Sequence, residues 1–224
     1  GRSALSANTT GTQNTAVGYQ ALDANTTGQQ NNAFGDNALG GNSTGSYNVA
    51  VGEQSLYNSN ADDNTGCGHR TLQANTTGSK NTAIGANAAD ANTTGSNNTA
   101  VGQMALSANT TSSNNTAIGR YALVVSTGAN NTATGYASLS GTTSGYSNAC
   151  FGFSAGGSVT TGANNICIGK NAGESDSPGG TITTGSNNLI LGNNDITYAA
   201  VKVSISVTSD ERDKTDIKDF THGL

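Results

Sequence analysis

The sequence has no Trp, one Pro, one Met and four Phe, and its 224 residues carry only nine Lys and Arg with 14 Asp and Glu. Leu, Ile, Val and Phe together number 34, about 15%, below the roughly 20% at which a conventional core becomes hard to fill. That excludes an ordinary single-core enzyme of this length. The net charge of −5 is modest, whereas disorder by composition goes with high net charge, and a lone Pro does not suit a linker. Three Cys, at 67, 150 and 167, are neither a disulfide framework nor a zinc pattern. His69 and His222 lack metal-ligand neighbours, so no cofactor or metal is expected. No apolar run nears the roughly 18 residues that cross a bilayer as a helix, so no membrane insertion is predicted. With a pI near 4.7 and no cluster of Lys or Arg in residues 1–201, a nucleic-acid partner is not expected either.

What the chain has is Gly (31), Thr (32) and Asn (30), about two-fifths of all residues, in a repeat. The pentad Asn-Thr-Ala-(Val/Ile)-Gly and its variants recur at 14–18, 31–35, 48–52, 64–68, 81–85, 98–102, 115–119, 131–135, 148–152, 165–169 and 188–192. Successive terminal glycines are 17 residues apart, except for two steps of 16 and a last step of 23. Ala-Leu or a close relative follows each Gly, as at Ala21-Leu22 and Ala105-Leu106, and Asn-Thr-Thr-Gly follows in turn, as at 25–28, 75–78 and 92–95. The chain opens in mid-pattern at Ser3-Ala4-Leu5, so a piece of something longer is expected. Seventeen residues are too few for a helical repeat, and fixed Gly and β-branched residues do not suit a helix. The period predicts an all-β fold, a parallel β-solenoid of about eleven 17-residue rungs, in which the weakly apolar composition fills a narrow core many times over.

Side chains alternate along a strand, so the bulky residue before each Gly (Val17, Phe34, Val51, Cys67, Ile84, Val101, Ile118) and the Ala before it face opposite ways. We expect the bulky row and the Leu of the apolar step to form the core, and the Ala row to make a tight contact with the opposite wall or a neighbouring subunit. Stacking at about 4.8 Å lets Asn14, Asn48, Asn64, Asn81, Asn98, Asn115 and their equivalents form a hydrogen-bonded ladder. Gly18, Gly52, Gly85, Gly102 and Gly119, and also the Gly28 series, are expected to supply positive-φ turns. The 23-residue step inserts about six residues around Glu174, Asp176 and Pro178, a candidate surface loop, since insertions in solenoids become loops. Cys67 is expected as a buried thiol, and Cys150 and Cys167 as small-residue packing on adjacent rungs. The Asn-Thr-Thr and Asn-Ser-Thr triplets match a glycosylation acceptor but read as turn chemistry.

The Asn-x-Ala-(Val/Ile)-Gly rungs resemble the heads of trimeric autotransporter adhesins, which are parallel β-rolls in a three-chain assembly. They resemble still more the Asn-Thr-Thr-Gly-Ser-Asn-Asn-Thr-Ala-Ile-Gly repeats of phage-type tail fibres. From Lys202 onward the last 23 positions hold nine of the 23 charged residues, and Thr208-Ser209-Asp210-Glu211-Arg212-Asp213-Lys214-Thr215-Asp216-Ile217 is similar to the opening of the intramolecular chaperone (endosialidase-type peptidase) domain of phage tail spikes and fibres. The resemblance implies a rod at 1–192, a connecting strand at 193–208 and the start of that chaperone at 209–224. It further implies a homotrimer, contacts with other tail or fibre proteins, and a host cell-surface glycan or protein as receptor, on an extracellular virion fibre. Self-cleavage at Ser209-Asp210 is implied too, with Ser209 as nucleophile and Lys214 as its base, since a Ser hydroxyl needs a base within hydrogen-bonding reach. Asp213 stands where that family has Leu.

The reading that follows is a structural and adhesive virion fibre, and no enzyme beyond a single-turnover self-cleavage. The alternatives are a bacterial cell-surface adhesin head, which would carry a coiled-coil stalk and membrane barrel downstream, and an ice-binding solenoid, which needs a flat Thr face. Varied residues after the pentad Gly, such as Tyr19, Asp36, Glu53 and His69, argue against that face. A glycan-cutting enzyme needs paired carboxylates, and the repeat shows no convergent pair.

Overall fold

A computed structural model describes residues 1–198. Each pentad forms a three-residue strand: β1 (Thr15–Val17), β2 (Asn32–Phe34), β3 (Val49–Val51), β4 (Thr65–Cys67), β5 (Thr82–Ile84), β6 (Thr99–Val101), β7 (Thr116–Ile118), β8 (Thr132–Thr134), β9 (Ala149–Phe151), β10 (Ile166–Ile168) and β11 (Leu189–Leu191). All eleven lie in chain order in one parallel sheet, with Thr15 beside Asn32, Ala16 beside Ala33 and Val17 beside Phe34, and the same register to β11. The chain is the parallel β-solenoid that its period predicts. Of the expected connecting strand at 193–208 only 193–198 are described, as a turn and irregular backbone; Ser209, Asp210, Lys214 and the rest of 209–224 lie outside the described residues.

Each strand stops at a glycine for two reasons. Gly18 has φ 139°, in the left-handed half of the map where a side chain is strained, and a Cβ there would stand 2.2 Å from the carbonyl oxygen of Gly35 on the next rung. The Gly28 series differs from expectation: it has no positive φ. Gly28 is there for room, because a Cβ would meet Gly45 O at 2.3 Å and Asn25 Oδ1 at 2.4 Å. The positive φ angles fall instead on non-glycine residues: on Gln30 (55°), two places after Gly28, and in the second wall, residues 19–24 and their equivalents, on Gln20 (51°) and Leu22 (52°). Those angles keep the wall from being a strand. It is nevertheless joined rung to rung, with Leu22 N–H donating to Ala38 O at 3.0 Å and Asn37 N–H to Tyr19 O at 2.9 Å. A left-handed Leu costs about 1–2 kcal/mol, and full burial of its side chain returns about 1.5–3 kcal/mol.

The core reverses one expectation. Ala33, Ala50, Ala83, Ala100, Ala117 and Ala133 are fully buried and face the buried Leu column of the second wall, Leu22, Leu39, Leu56, Leu72, Leu106, Leu123 and Leu139. The bulky row points outward: Ile84 is 42% exposed beside a fully buried Ala83, and Cys67 is exposed as well. The interior is one Ala and one Leu wide, so a second large side chain per rung has no room inside.

That width is held constant by compensating pairs. Where Ser55 and Thr71 replace the Ala of the second wall, their hydroxyls bond each other at 2.8 Å, and the facing strand residue shrinks to Gly66, whose Cβ would sit 2.4 Å from Ser55 Oγ and 2.7 Å from Thr71 Oγ1. Where Cys150 and Cys167 replace Ala in the strand, the Leu column shrinks to Gly156 and Gly173, with a Cβ on Gly156 only 2.7 Å from Cys150 Sγ. The two cysteines are buried and free. They therefore act as bulk filling the place of Leu, and the hydrogen bond between them, followed by burial, pushes the Cys150 thiol well above its ordinary pKa.

Two columns of Asn close the corners. Asn14, Asn31, Asn48, Asn64, Asn81, Asn98, Asn115 and their successors form the predicted ladder: Asn98 N–H donates to Asn81 Oδ1 at 3.0 Å, while Asn81 Nδ2 reaches across the coil to Gly95 O at 2.9 Å. In the second column Asn92 Nδ2 donates to Asn75 Oδ1 at 2.8 Å and to Gly95 O at 3.0 Å, three residues on. The Asn residues of the acceptor triplets at Asn25, Asn42, Asn75, Asn92 and Asn109 are fully buried at the corners. Both 16-residue rungs carry Ser in this column, Ser59 and Ser126. With the turn one residue shorter, a shorter side chain closes it, as Gly128 N–H to Ser126 Oγ shows at 3.3 Å. The exchange interrupts the ladder and leaves Asn42 Oδ1 and Asn109 Oδ1 unpaired, each at a cost of about 1–3 kcal/mol.

One rung lacks its large residue without compensation, having Ala83, Ala88 and Ala89 inside. Ala89→Leu should restore the column between Leu72 and Leu106 and raise stability by about 0.5–2 kcal/mol. Ala83→Leu, on the strand side, should lower it by about 1–3 kcal/mol. Thermal or denaturant unfolding of the two variants checks the assignment of faces, and equal signs would contradict it.

Candidate binding site

The 23-residue step leaves the rung at Gly173 and returns at Ile182, whose N–H donates to Gly173 O at 2.9 Å. Between them the chain makes a folded arm. Ser177 is buried; its hydroxyl accepts Gly173 N–H at 3.0 Å and donates to Gly192 O at 3.2 Å. Pro178 and Gly179 form the exposed tip, where a Cβ on Gly179 or Gly180 would meet nothing within 4 Å. Of the expected loop residues, Pro178 is thus at the surface, while Glu174 and Asp176 are half-buried and turned to structural contacts. Glu174 accepts the Ser158 N–H at 2.6 Å and the Ser158 hydroxyl at 2.5 Å. Asp176 accepts Asn171 Nδ2 at 3.0 Å and Asn193 Nδ2 at 3.3 Å.

The arm walls off a dent of about 550 Å³ in the second wall of the last rungs. Its floor exists because the residue five places after the pentad Gly, Tyr57 or Gln73 on earlier rungs, is Ser140 and then Gly157 here. Ser154, Ser158, Ser175 and Asn171 line it with Glu174 and Asp176. Hydroxyls, an amide and two carboxylates meet there, with no aliphatic side chain among them. The hydrogen bond from Asn171, ahead of that from Asn193, holds the Asp176 carboxyl below its ordinary value of 3.8, so it is charged throughout the neutral range.

Beside the dent, on the same wall, Tyr136 and Phe153 stand one place after the pentad Gly, with Tyr121 two places after its own. Tyr136 and Phe153 are stacked with centroids 5.3 Å apart and planes 9° apart, and both are exposed. Tyr121 meets Tyr136 edge-on at 6.0 Å, and Arg120 lies 4.5 Å over the Tyr121 ring with Nη2 donating to its hydroxyl at 2.8 Å. Sequence reasoning took the residues after Gly only as variable and missed this row; two aromatics 17 residues apart on adjacent rungs, Tyr136 and Phe153, were the available signal. The pairing of Glu174 with Asp176 was missed too, because they converge only through the fold of the inserted arm.

A second surface feature lies on the strand face. Val17, Phe34, Val51, Ile84, Ile118, Phe151, Ile168 and Leu191 form an exposed apolar column. The column two residues earlier is mostly Thr, as at Thr65, Thr82, Thr99, Thr116 and Thr132, and turns apolar and exposed at Ile166 and Leu189. The apolar stripe is therefore one column wide along the rod and two wide at its last rungs.

Compared with protein-family models, with curated proteins and with solved structures, the chain finds no match.

A depressed carboxyl stabilises the folded arm above its unfolded pKa and loses that contribution as pH falls through its folded one. Carboxyl NMR should place the Asp176 midpoint below 3.8, and Asn171→Ala should move it upward towards that value. An unmoved midpoint would remove Asn171 as the cause.

Proposed function

We propose that this chain is the shaft of a homotrimeric virion fibre of the phage tail type, which spaces and presents surfaces for attachment to a host cell. The observation that carries the reading is the outward apolar column. Chains in water rarely leave a long apolar strip uncovered unless a partner covers it, and a strip that recurs about every 4.8 Å, interrupted at Thr134, is matched along its length by a copy with the same repeat. Burial against two copies also supplies the apolar area that an interior one Ala and one Leu wide cannot. The widening to Ile166, Ile168, Leu189 and Leu191 favours the strongest association at the rungs that precede the charged C-terminal segment in the sequence. That position suits a segment that starts assembly there, in keeping with the resemblance of Ser209-Asp210 to the opening of an intramolecular chaperone. In this reading other fibre proteins extend the rod and a host glycan or protein is the receptor.

Sedimentation at micromolar concentration is expected to show a trimer. Ile84→Asp combined with Ile118→Asp should give monomers of unchanged fold, because both side chains point outward. A wild-type chain that is a stable monomer with cooperative unfolding would overturn the shaft reading. Self-cleavage has its own readout: in the full-length gene product, Ser209→Ala should leave a larger band than wild type, and equal bands would remove Ser209 and its base Lys214 from catalysis.

A further inference from the structure

The dent and the aromatic row beside it are not used by the rod. The cavity, about 550 Å³, falls within the size range of ligand pockets, about 300–1,000 Å³. Its lining is opposite to that of a site for an apolar ligand. Ser140, Ser154 and Ser175 each offer a hydroxyl that both donates and accepts; Ser158 and Asn171, which already donate to Glu174 and Asp176, offer acceptor oxygens, and the two carboxylates keep further lone pairs. A partner satisfying these groups must carry many hydroxyls or amides, closely spaced, and no negative charge, since two carboxylates already line the site. Tyr136 and Phe153, on the same rungs as Ser140 and Gly157, are both exposed and stacked on each other; with Tyr121 edge-on to Tyr136, the ring face turned to the rung of Asn171 is that of Phe153. Flat ring faces take the C–H face of a partner by area burial, while the hydroxyl edge of the same partner turns to the dent. Few chemical classes present one apolar face and one hydroxyl-rich edge; a pyranose does.

We propose that this wall is a binding site for a neutral oligosaccharide, with Phe153 as the platform, backed by the stacked Tyr136, and Ser154, Ser158, Asn171, Glu174 and Asp176 as the hydrogen-bonding edge. The inference deepens the attachment reading above and rests on it only for the setting in which such a ligand is met. The dent lies on the second wall, and Phe153 stands at its edge, two residues from Phe151 of the apolar column.

Two variants fill the dent with side chains the rungs already accept at the same places: Ser154→Tyr, equivalent to Tyr121, and Ser140→Tyr, equivalent to Tyr57. The full chain is applied to a printed panel of neutral oligosaccharides of glucose, galactose and their N-acetylamino derivatives, with sialylated and sulfated members alongside. Retention on neutral members is expected, lowered at least tenfold by either Tyr variant and by Phe153→Ala, with melting temperature and sedimentation unchanged. Should one Tyr variant melt early, the other and Phe153→Ala decide. No retention on any neutral member, equal retention by all variants, or preference for the anionic members would overturn the proposal. Sedimentation of the same samples separates the two readings: a monomer that is retained keeps the site and overturns the shaft, and a trimer that is not retained does the reverse.

Discussion

The rest of the structure depends on one buried hydrogen bond, from the backbone N–H of a corner Asn to the side-chain oxygen of the Asn one rung earlier. Burying an amide unpaired costs about 1–3 kcal/mol, and a coil as narrow as this one buries its corners completely. The Asn carboxamide answers both needs at once: its oxygen takes the next rung's amide, and its nitrogen closes its own coil against a carbonyl 14 residues later, as Asn131 Nδ2 does to Gly145 O. With the corners fixed, the spacing between rungs is fixed, and every other residue choice is a response to the distance that remains.

That remaining distance explains which parts of the fold were legible. The period, the parallel stacking, the buried Leu column and the Asn ladder all follow from residues that recur at 17, because identical neighbours at short spacing leave few alternatives. The direction of the strands did not follow. In a three-residue strand such as Thr82-Ala83-Ile84, alternation allows either one side chain inside or two, and hydrophobicity alone favours placing Ile inside. What decides is the width of the coil, and width is visible only in pairs distant in sequence, such as Gly66 with Ser55 and Thr71, or Cys150 with Gly156. Those exchanges were readable as letters, but their meaning needs the two walls to be face to face. The Gly28 series failed for a similar reason: the glycine answers crowding by the next rung, a neighbour that local turn chemistry does not include.

The candidate site was the least legible part. Its carboxylates come from the inserted arm, its floor from two successive small residues, Ser140 and Gly157, and its platform from Phe153 stacked on Tyr136 in one column. None of these is a motif; each is a departure from the repeat, and they coincide on rungs whose interior has also changed, with Cys and Gly in place of Ala and Leu. The strict interior and the permissive exterior thus divide the work: the first fixes where rungs stand, and the second sets what they meet.

The cross-rung bonding has a consequence for how such a chain changes over generations. Each layer asks only that the layers above and below have the same outline, so an in-frame duplication or loss of one whole repeat inserts or removes a layer without disturbing any contact elsewhere. Rod length, about 4.8 Å per layer, is then an inherited quantity that can be tuned in single steps, independently of whatever the outer surface binds.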